Sequence, residues 1–157
     1  MSPISGCSIA HGVGDAEPVR GDTPHVSAEE ETLRAGYAAL TRCDFDAWLA
    51  GFQPDAELRD LAEAPDTAAY RGHEEIRRWA TAGSELVTEW DWVPAEIDSM
   101  ASGALVVRVR FRAVGRGSEI TIEQDVWHVA RFRGDKIAII SGFLSEDSAR
   151  EAAEEAS

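Results

Sequence analysis

The chain has 157 residues, 44% of them hydrophobic and five of them Trp, with 29 acidic against 15 basic residues for a net charge of −14. That size and apolar content describe one globular domain able to bury most of its apolar surface. The negative field repels phosphate backbones and anionic bilayers, which argues against nucleic acid and against membrane binding. No apolar run approaches the length of a membrane span. The N-terminus lacks the charged start and continuous apolar core of a secretory signal, so the expected address is cytoplasmic. Cys7, Cys43 and the four histidines form neither CxxC nor HExxH spacing, and neither a metal nor a cofactor is expected.

Residues 1–26 are rich in Gly, Ser, Pro and Asp without a period and read as a flexible extension, leaving 27–157 as the folded domain. Ser27-Ala28-Glu29-Glu30 has the form of a capping box, and Leu33, Tyr37 and Leu40 mark one face of a helix running to about Arg42. Asp44 can cap a second short helix presenting Trp48, Leu49 and Phe52, with Pro54 as its stop. A short strand through Leu58 and Asp60 follows, then a loop with Pro65 and Asp66. Gly72 precedes a third helix in which Ile76 and Trp79 share a face, and His73 at its start reads as solvated.

From Glu85 the period changes to two. Thr88, Trp90 and Trp92 share one strand face, and Pro94 implies a bulge or an edge. Leu105, Val107, Val109 and Phe111 alternate with Arg108, Arg110 and Arg112 in a strand with one buried face. The arginine row is expected to pair across strands with Glu119, Thr121, Glu123 or Asp125. Gly115-Arg116-Gly117 turns into a strand from Glu119 to Phe132. Arg133-Gly134-Asp135 turns into another from Lys136 to Leu144, and Ser145 can cap a C-terminal helix. Three helices with one early strand, then an antiparallel meander, specify an α+β fold.

Several segments together carry a resemblance. They are Tyr37-Ala38-Ala39-Leu40, Asp44-Phe45-Asp46-Ala47-Trp48, Phe52-Gln53-Pro54-Asp55-Ala56, Tyr70-Arg71-Gly72-His73-Glu74-Glu75-Ile76, and Asp125-Val126-Trp127 leading to Arg133-Gly134-Asp135-Lys136-Ile137. In this order and spacing the chain resembles the SnoaL-like and ketosteroid-isomerase-like branch of the nuclear transport factor 2-like superfamily. The resemblance covers roughly residues 28–150. It implies a cone-shaped, curved mixed sheet closed by three N-terminal helices, often dimerising through the outer face of the sheet. The fold hosts isomerases, cyclases, dehydratases, epoxide hydrolases and non-catalytic domains, so function has to come from the site.

Counted from Asp44, Asp60 falls where ketosteroid isomerases carry the base that moves a proton between carbons beside a carbonyl. Sinking a carboxylate in an apolar pocket destabilises its charged form and improves proton transfer. The competing reading has Asp60 ending an edge strand in water or pairing with Arg59 or Arg71. His128 aligns with the strand position of the isomerase group that donates to the substrate oxygen, a task open to a neutral imidazole. Period two sets Gln124, Val126, His128 and Ala130 on one face; a register slip would present Asp125 and Trp127 instead. The competing role for His128 is a core histidine bonded to a backbone carbonyl.

Three departures separate the chain from known mechanisms of the fold. Gly36 stands where the isomerase has its oxyanion Tyr, with Tyr37 adjacent. The last strand, Ile139-Ile140-Ser141-Gly142, lacks the acid of the aldol cyclases. Arg108-Val109-Arg110 lacks the Arg-x-Asp of the epoxide hydrolases. The expectation is an enzyme of isomerase, cyclase or dehydratase type acting on an apolar or polyketide-like small molecule. Asp60 and His128 are its catalytic pair, with Tyr37, Phe52, Trp79, Trp90, Trp92 and Gln124 around the substrate. The protein is expected to be a homodimer. The alternative is a non-catalytic ligand-binding or dimerisation module of the same fold.

Overall fold

The computed structural model describes residues 27–61 and 68–155. The N-terminal extension expected over 1–26, and the loop with Pro65 and Asp66, lie outside the described residues. The chain runs through helices α1 (Ala28–Thr41) and α2 (Phe45–Leu49), strands β1 (Phe52–Arg59) and β2 (Ala69–Arg71), and helix α3 (Gly72–Glu85). Strands β3 (Val87–Ser99), β4 (Leu105–Gly115), β5 (Thr121–Arg133) and β6 (Lys136–Phe143) follow, then helix α4 (Glu146–Glu154). The strands form one six-stranded sheet in the order β2-β1-β6-β5-β4-β3, curved and unclosed. β1 pairs with β6 in parallel, and every other neighbour is antiparallel. The mixed α+β cone implied by the resemblance is the fold observed.

Local chemistry explains most boundaries. The Ser27 hydroxyl accepts from the Glu30 amide at 3.0 Å and Asp44 from the Ala47 amide at 3.2 Å, so both N-terminal helices start at a satisfied cap. The Glu30 carboxylate pairs with Arg34, one turn on. Gly134, at φ +70, opens the two-residue β5–β6 turn, where a side chain would be strained.

Three expectations need correction. Pro54 does not end α2, which stops at Leu49. It lies inside β1, between Phe52 and Glu57, where the register with β6 shifts. A residue without an N–H is tolerated at such an irregularity, and Phe52 accordingly sits on a strand. The strand after Gly117 begins at Thr121, because Glu119 takes a turn conformation at φ +61 while the Gly115 amide reaches the Ile120 carbonyl. His73 is half-buried and its Nε2 lies 3.1 Å from the Phe52 carbonyl, so its ring ties the start of α3 to β1. Pro94 does lie on an edge strand and beside a register shift.

Helices α1, α2 and α3 cover the concave face. The core there joins Leu33, Leu40, Trp48, Leu49 and Ile76 to Phe52, Val107, Val109 and Val126 of the sheet. A smaller cluster lies on the other face, where Ala149 and Ala153 of α4 pack on Val106, Val129 and Phe143. Arg131 holds that helix by donating to the carbonyls of Ala152 and Glu155. Beside α4, Arg108 and Arg110 pair with Asp125, and Arg112 with Glu89 and Glu123. Glu119 and Thr121 take no part in these ion pairs.

Candidate active site

The parallel β1–β6 pairing aligns Arg59 with Ser141, which brings the next residue, Asp60, to the level of Gly142. On the far side of β6, Gly142 is paired with His128 of β5. Asp60 and His128 therefore flank one glycine from adjoining strands, with backbones roughly 10 Å apart by strand spacing. A Cβ built on Gly142 would meet the Leu61 Cδ2 at 3.3 Å and the His128 Cδ2 at 3.7 Å. A side chain at this position would crowd Leu61 and the imidazole at the edge of the cavity. A glycine inside a strand pattern signals such a close approach, and that signal could have marked Gly142 from sequence, where it was not singled out.

The Asp60 carboxylate is oriented at both oxygens. Oδ1 accepts from the Leu61 amide at 2.8 Å and Oδ2 from the Trp79 indole Nε1 at 3.2 Å. Its own amide donates to the Ala68 carbonyl at 3.0 Å. Arg59 and Arg71 both turn to Glu57, at 2.8 and 3.0 Å, and Asp60 enters no ion pair among the described residues. The carboxylate is thus held by two neutral donors rather than by a guanidinium.

His128 is bound through Nδ1 to the Tyr37 hydroxyl at 2.6 Å, with the two rings stacked 5.7 Å apart. Burial lowers the imidazole pKa to about 4, the neighbouring charge of Asp60 pulling weakly the other way. Burial pushes the Tyr37 phenol upward, away from ionisation. Both groups are therefore neutral at pH 7. The phenol has no second acceptor among the described residues, so the satisfied arrangement has Tyr37 donating to Nδ1. That fixes the tautomer: the remaining ring proton sits on Nε2.

Asp60, His128 and Tyr37 open on one cavity of about 160 Å³, also lined by Phe52, Trp79, Trp92 and Gln124. Val126 and Gln124 share the His128 face, as period two requires, while Asp125 points outward to Arg108 and Arg110. Trp90 does not line this cavity. It is buried and donates to the Leu40 carbonyl at 3.0 Å, tying β3 to α1. Trp48, Phe111, Arg59, Ser141 and Gly36 also border the cavity, and none of them is among the residues expected around the substrate. Phe111 had a signal, since it continues the buried face of Val107 and Val109; Trp48 had one in its helix face. Among the described residues no group of three or more His, Cys, Asp or Glu is placed to hold a metal ion. No described helix is long and apolar enough to cross a membrane.

Comparison with solved structures places this architecture among known folds. TerC, co-crystallised with polyporic acid, superposes with a TM-score of 0.66 at 19% identity, over 82% of this chain and 100% of that one. An NTF2-like protein of unknown function from Burkholderia pseudomallei gives 0.67 at 19% identity, over 83% and 100%. A protein of ketosteroid isomerase-like fold from Catenulispora acidiphila, in complex with trimethylamine, gives 0.65 at 18% identity, over 76% and 88%. At these identities the likeness is one of fold. Comparison with curated proteins yields no significant match. Residues 33–140 match the SnoaL-like domain family, and with most of its folded part so matched the chain belongs to that family.

Proposed function

We propose that this protein is an enzyme that moves protons on a small apolar molecule with its own side chains, Asp60 acting as base and His128 as hydrogen-bond donor to the substrate oxygen. The observation that carries the reading is the pair itself. A carboxylate held by neutral donors and an imidazole with a fixed Nε2 proton flank the empty side of Gly142 at one apolar cavity. A substrate carbonyl at Nε2 would have its oxygen stabilised as charge develops, while Asp60 takes the proton from the adjacent carbon. The same carboxyl group then returns that proton, to another carbon in an isomerisation or to a departing hydroxyl in a dehydration. Neither step requires His128 to become an imidazolium, which burial opposes. A neutral histidine serving as electrophile in this way is established chemistry.

Tyr37 acts through His128: it holds the ring and its tautomer and leaves the substrate to Nε2. Gln124, exposed at the cavity edge, is placed to meet the outer end of a ligand. Small-molecule binding is also supported by TerC and the Catenulispora acidiphila protein, which carry polyporic acid and trimethylamine respectively. A cytoplasmic homodimer belongs to the same reading; sedimentation equilibrium tests its assembly.

The test does not depend on the identity of the natural product. 2-Tetralone, a flat neutral ketone, is incubated with the protein in D₂O and its exchange beside the carbonyl is followed by NMR. Exchange above the buffer rate that disappears in Asp60→Asn supports the proposal. Unchanged exchange in that variant, or binding of 2-tetralone with no exchange in the wild type, favours the non-catalytic ligand-binding module.

A further inference from the structure

Gly36 sits in the interior of α1 and borders the cavity that Asp60, His128 and Tyr37 share. The backbone does not ask for a glycine there, because its φ is not in the left-handed region. Nor does a close approach. A Cβ built on Gly36 would meet the Trp48 Cδ1 at 3.6 Å, an ordinary van der Waals distance, and no other side chain among the described residues beyond its chain neighbours comes within 4 Å. A glycine inside a helix loses more conformational entropy on folding than an alanine, so the position costs stability without serving the helix. What the missing side chain supplies is room in the cavity wall.

The helix is not placed to close this room by moving inward. One turn before Gly36, the Thr32 Cγ2 lies 2.9 Å from where a Cβ on Gly51 would be, so α1 already rests on the junction of α2 and β1. The Thr32 hydroxyl also donates to the Asp135 carbonyl at 3.4 Å, tying the same turn to the β5–β6 hairpin. Across the gap, the Trp48 ring is set edge-on against Phe52, centroids 5.2 Å apart, and against Phe45 at 6.2 Å. Helix and ring are each propped by a neighbour, and packed surroundings of this kind do not collapse into a methyl-sized space without strain. The next residue of the helix, Tyr37, holds His128, so the room lies beside the proposed hydrogen-bond donor.

We propose that Gly36 determines which substrates fit: the space between its Cα and the Trp48 ring takes a small alkyl branch of the ring that lies between Asp60 and His128. The placement of that ring rests on the function proposed above; selection at Gly36 is a matter of binding and needs no turnover. The branch is apolar because Leu33 and Leu40, about one turn to either side on α1, and Trp48 border the cavity with it. It is at least methyl-sized, because an alanine Cβ would sit there at ordinary contact distance.

The probes are 2-tetralone and its singly methylated derivatives. Affinity is read by titration calorimetry, and contact by intermolecular NOEs to the Gly36 Hα and the Trp48 indole protons. In the wild type at least one methyl derivative should bind about threefold to fourfold more tightly than the parent, the gain for burying one carbon. Its methyl should show both NOEs. Gly36→Ala puts a methyl of the protein in the same space. It should cancel that derivative's gain, leave 2-tetralone binding as before, and raise the melting temperature by a few degrees through helix propensity. Gly36→Leu should extend the loss to 2-tetralone itself. Ala38→Gly, on the exposed side of the same helix, controls for helix stability: it should lower the melting temperature and leave every affinity unchanged.

A Gly36→Ala protein that is more stable yet binds the whole series as the wild type does overturns the proposal, since Gly36 then has no role beyond the helix. So does a wild type that prefers no methyl derivative, or a favoured methyl whose NOEs lie elsewhere. Loss of affinity in Ala38→Gly shows that helix stability rather than room governs binding, which also overturns it. Exchange of 2-tetralone in D₂O with no selection at Gly36 leaves the proposed function standing. Selection at Gly36 without exchange overturns the proposed function alone.

Discussion

The two faces of β4 and β5 use the same strands for opposite ends. On the outer face Arg108, Arg110 and Arg112 meet Asp125, Glu123, Glu89 and Glu96, and each guanidinium is paired. On the inner face, His128 of β5 offers Nε2 to a cavity and Trp92 of the neighbouring β3 holds an N–H with no acceptor among the described residues. The outer face is electrostatically closed within the chain; the inner face keeps polar groups with capacity in reserve. Alternation along a strand lets one stretch of sequence supply both, so charge density alone points to the wrong face.

Breaking the inner face should have the larger effects. Asp60→Asn removes the proposed base while its amide still fits the cavity mouth. Exchange of 2-tetralone should fall by about 10²–10⁴, with the melting temperature nearly unchanged; a large loss of stability with unaltered exchange refutes the role. Gly142→Val places side-chain atoms where the Leu61 methyl is already 3.3 Å from the first of them. Calorimetry should show ligand binding abolished, with a stability loss of about 1–3 kcal/mol from overpacking.

A third test concerns the imidazole. Its pKa is lowered to about 4 in the fold against 6.5 for the free group, so between those values the unfolded chain binds the extra proton. Stability therefore rises with pH across this window and is lost as pH falls from 6.5 through 4, by about 3 kcal/mol in all. Urea unfolding across this range checks the slope, and His128→Gln should flatten it. Tyr37→Phe leaves Nδ1 without its donor, costing about 1–3 kcal/mol. It should also redistribute the ring proton, visible in the nitrogen chemical shifts of His128. The smallest effect belongs to the outer face. Asp125→Asn breaks the contacts to Arg108 and Arg110, yet both partners are partly solvated, so less than about 1 kcal/mol should be lost and exchange left unchanged.

The same contrast sets what could be read from sequence. The helix caps at Ser27, Asp44 and Ser145 are local, and each starts its helix in the structure. The strand faces follow from period two, which brings Gln124, Val126 and His128 to the cavity together. What escapes depends on pairing between distant segments. The Tyr37–His128 bond joins residues 91 apart, and neither carries a local mark of the other. Gly142 carries the local mark of a glycine inside a strand, but which groups lie on either side of it depends on the two strands beside it. Pro54, lacking an N–H, suggests a helix stop from sequence, but a register shift in β1 accommodates it instead. Trp90 and Trp92 share a strand face, and only the packing of α1 separates the one tied to the Leu40 carbonyl from the one at the cavity.

The parallel pairing of β1 with β6 also has a temporal meaning. β1 is made early in the chain, but its neighbour begins at Lys136, and Phe52 finds its partner only in Ile137. β1 therefore has to wait for the whole meander before it can join the sheet, at the entropic cost of closing a long loop. Asp60 reaches the level of His128 only at that last docking step. A nascent chain that has folded its meander but not yet docked β1 has its imidazole in place and no carboxylate beside it.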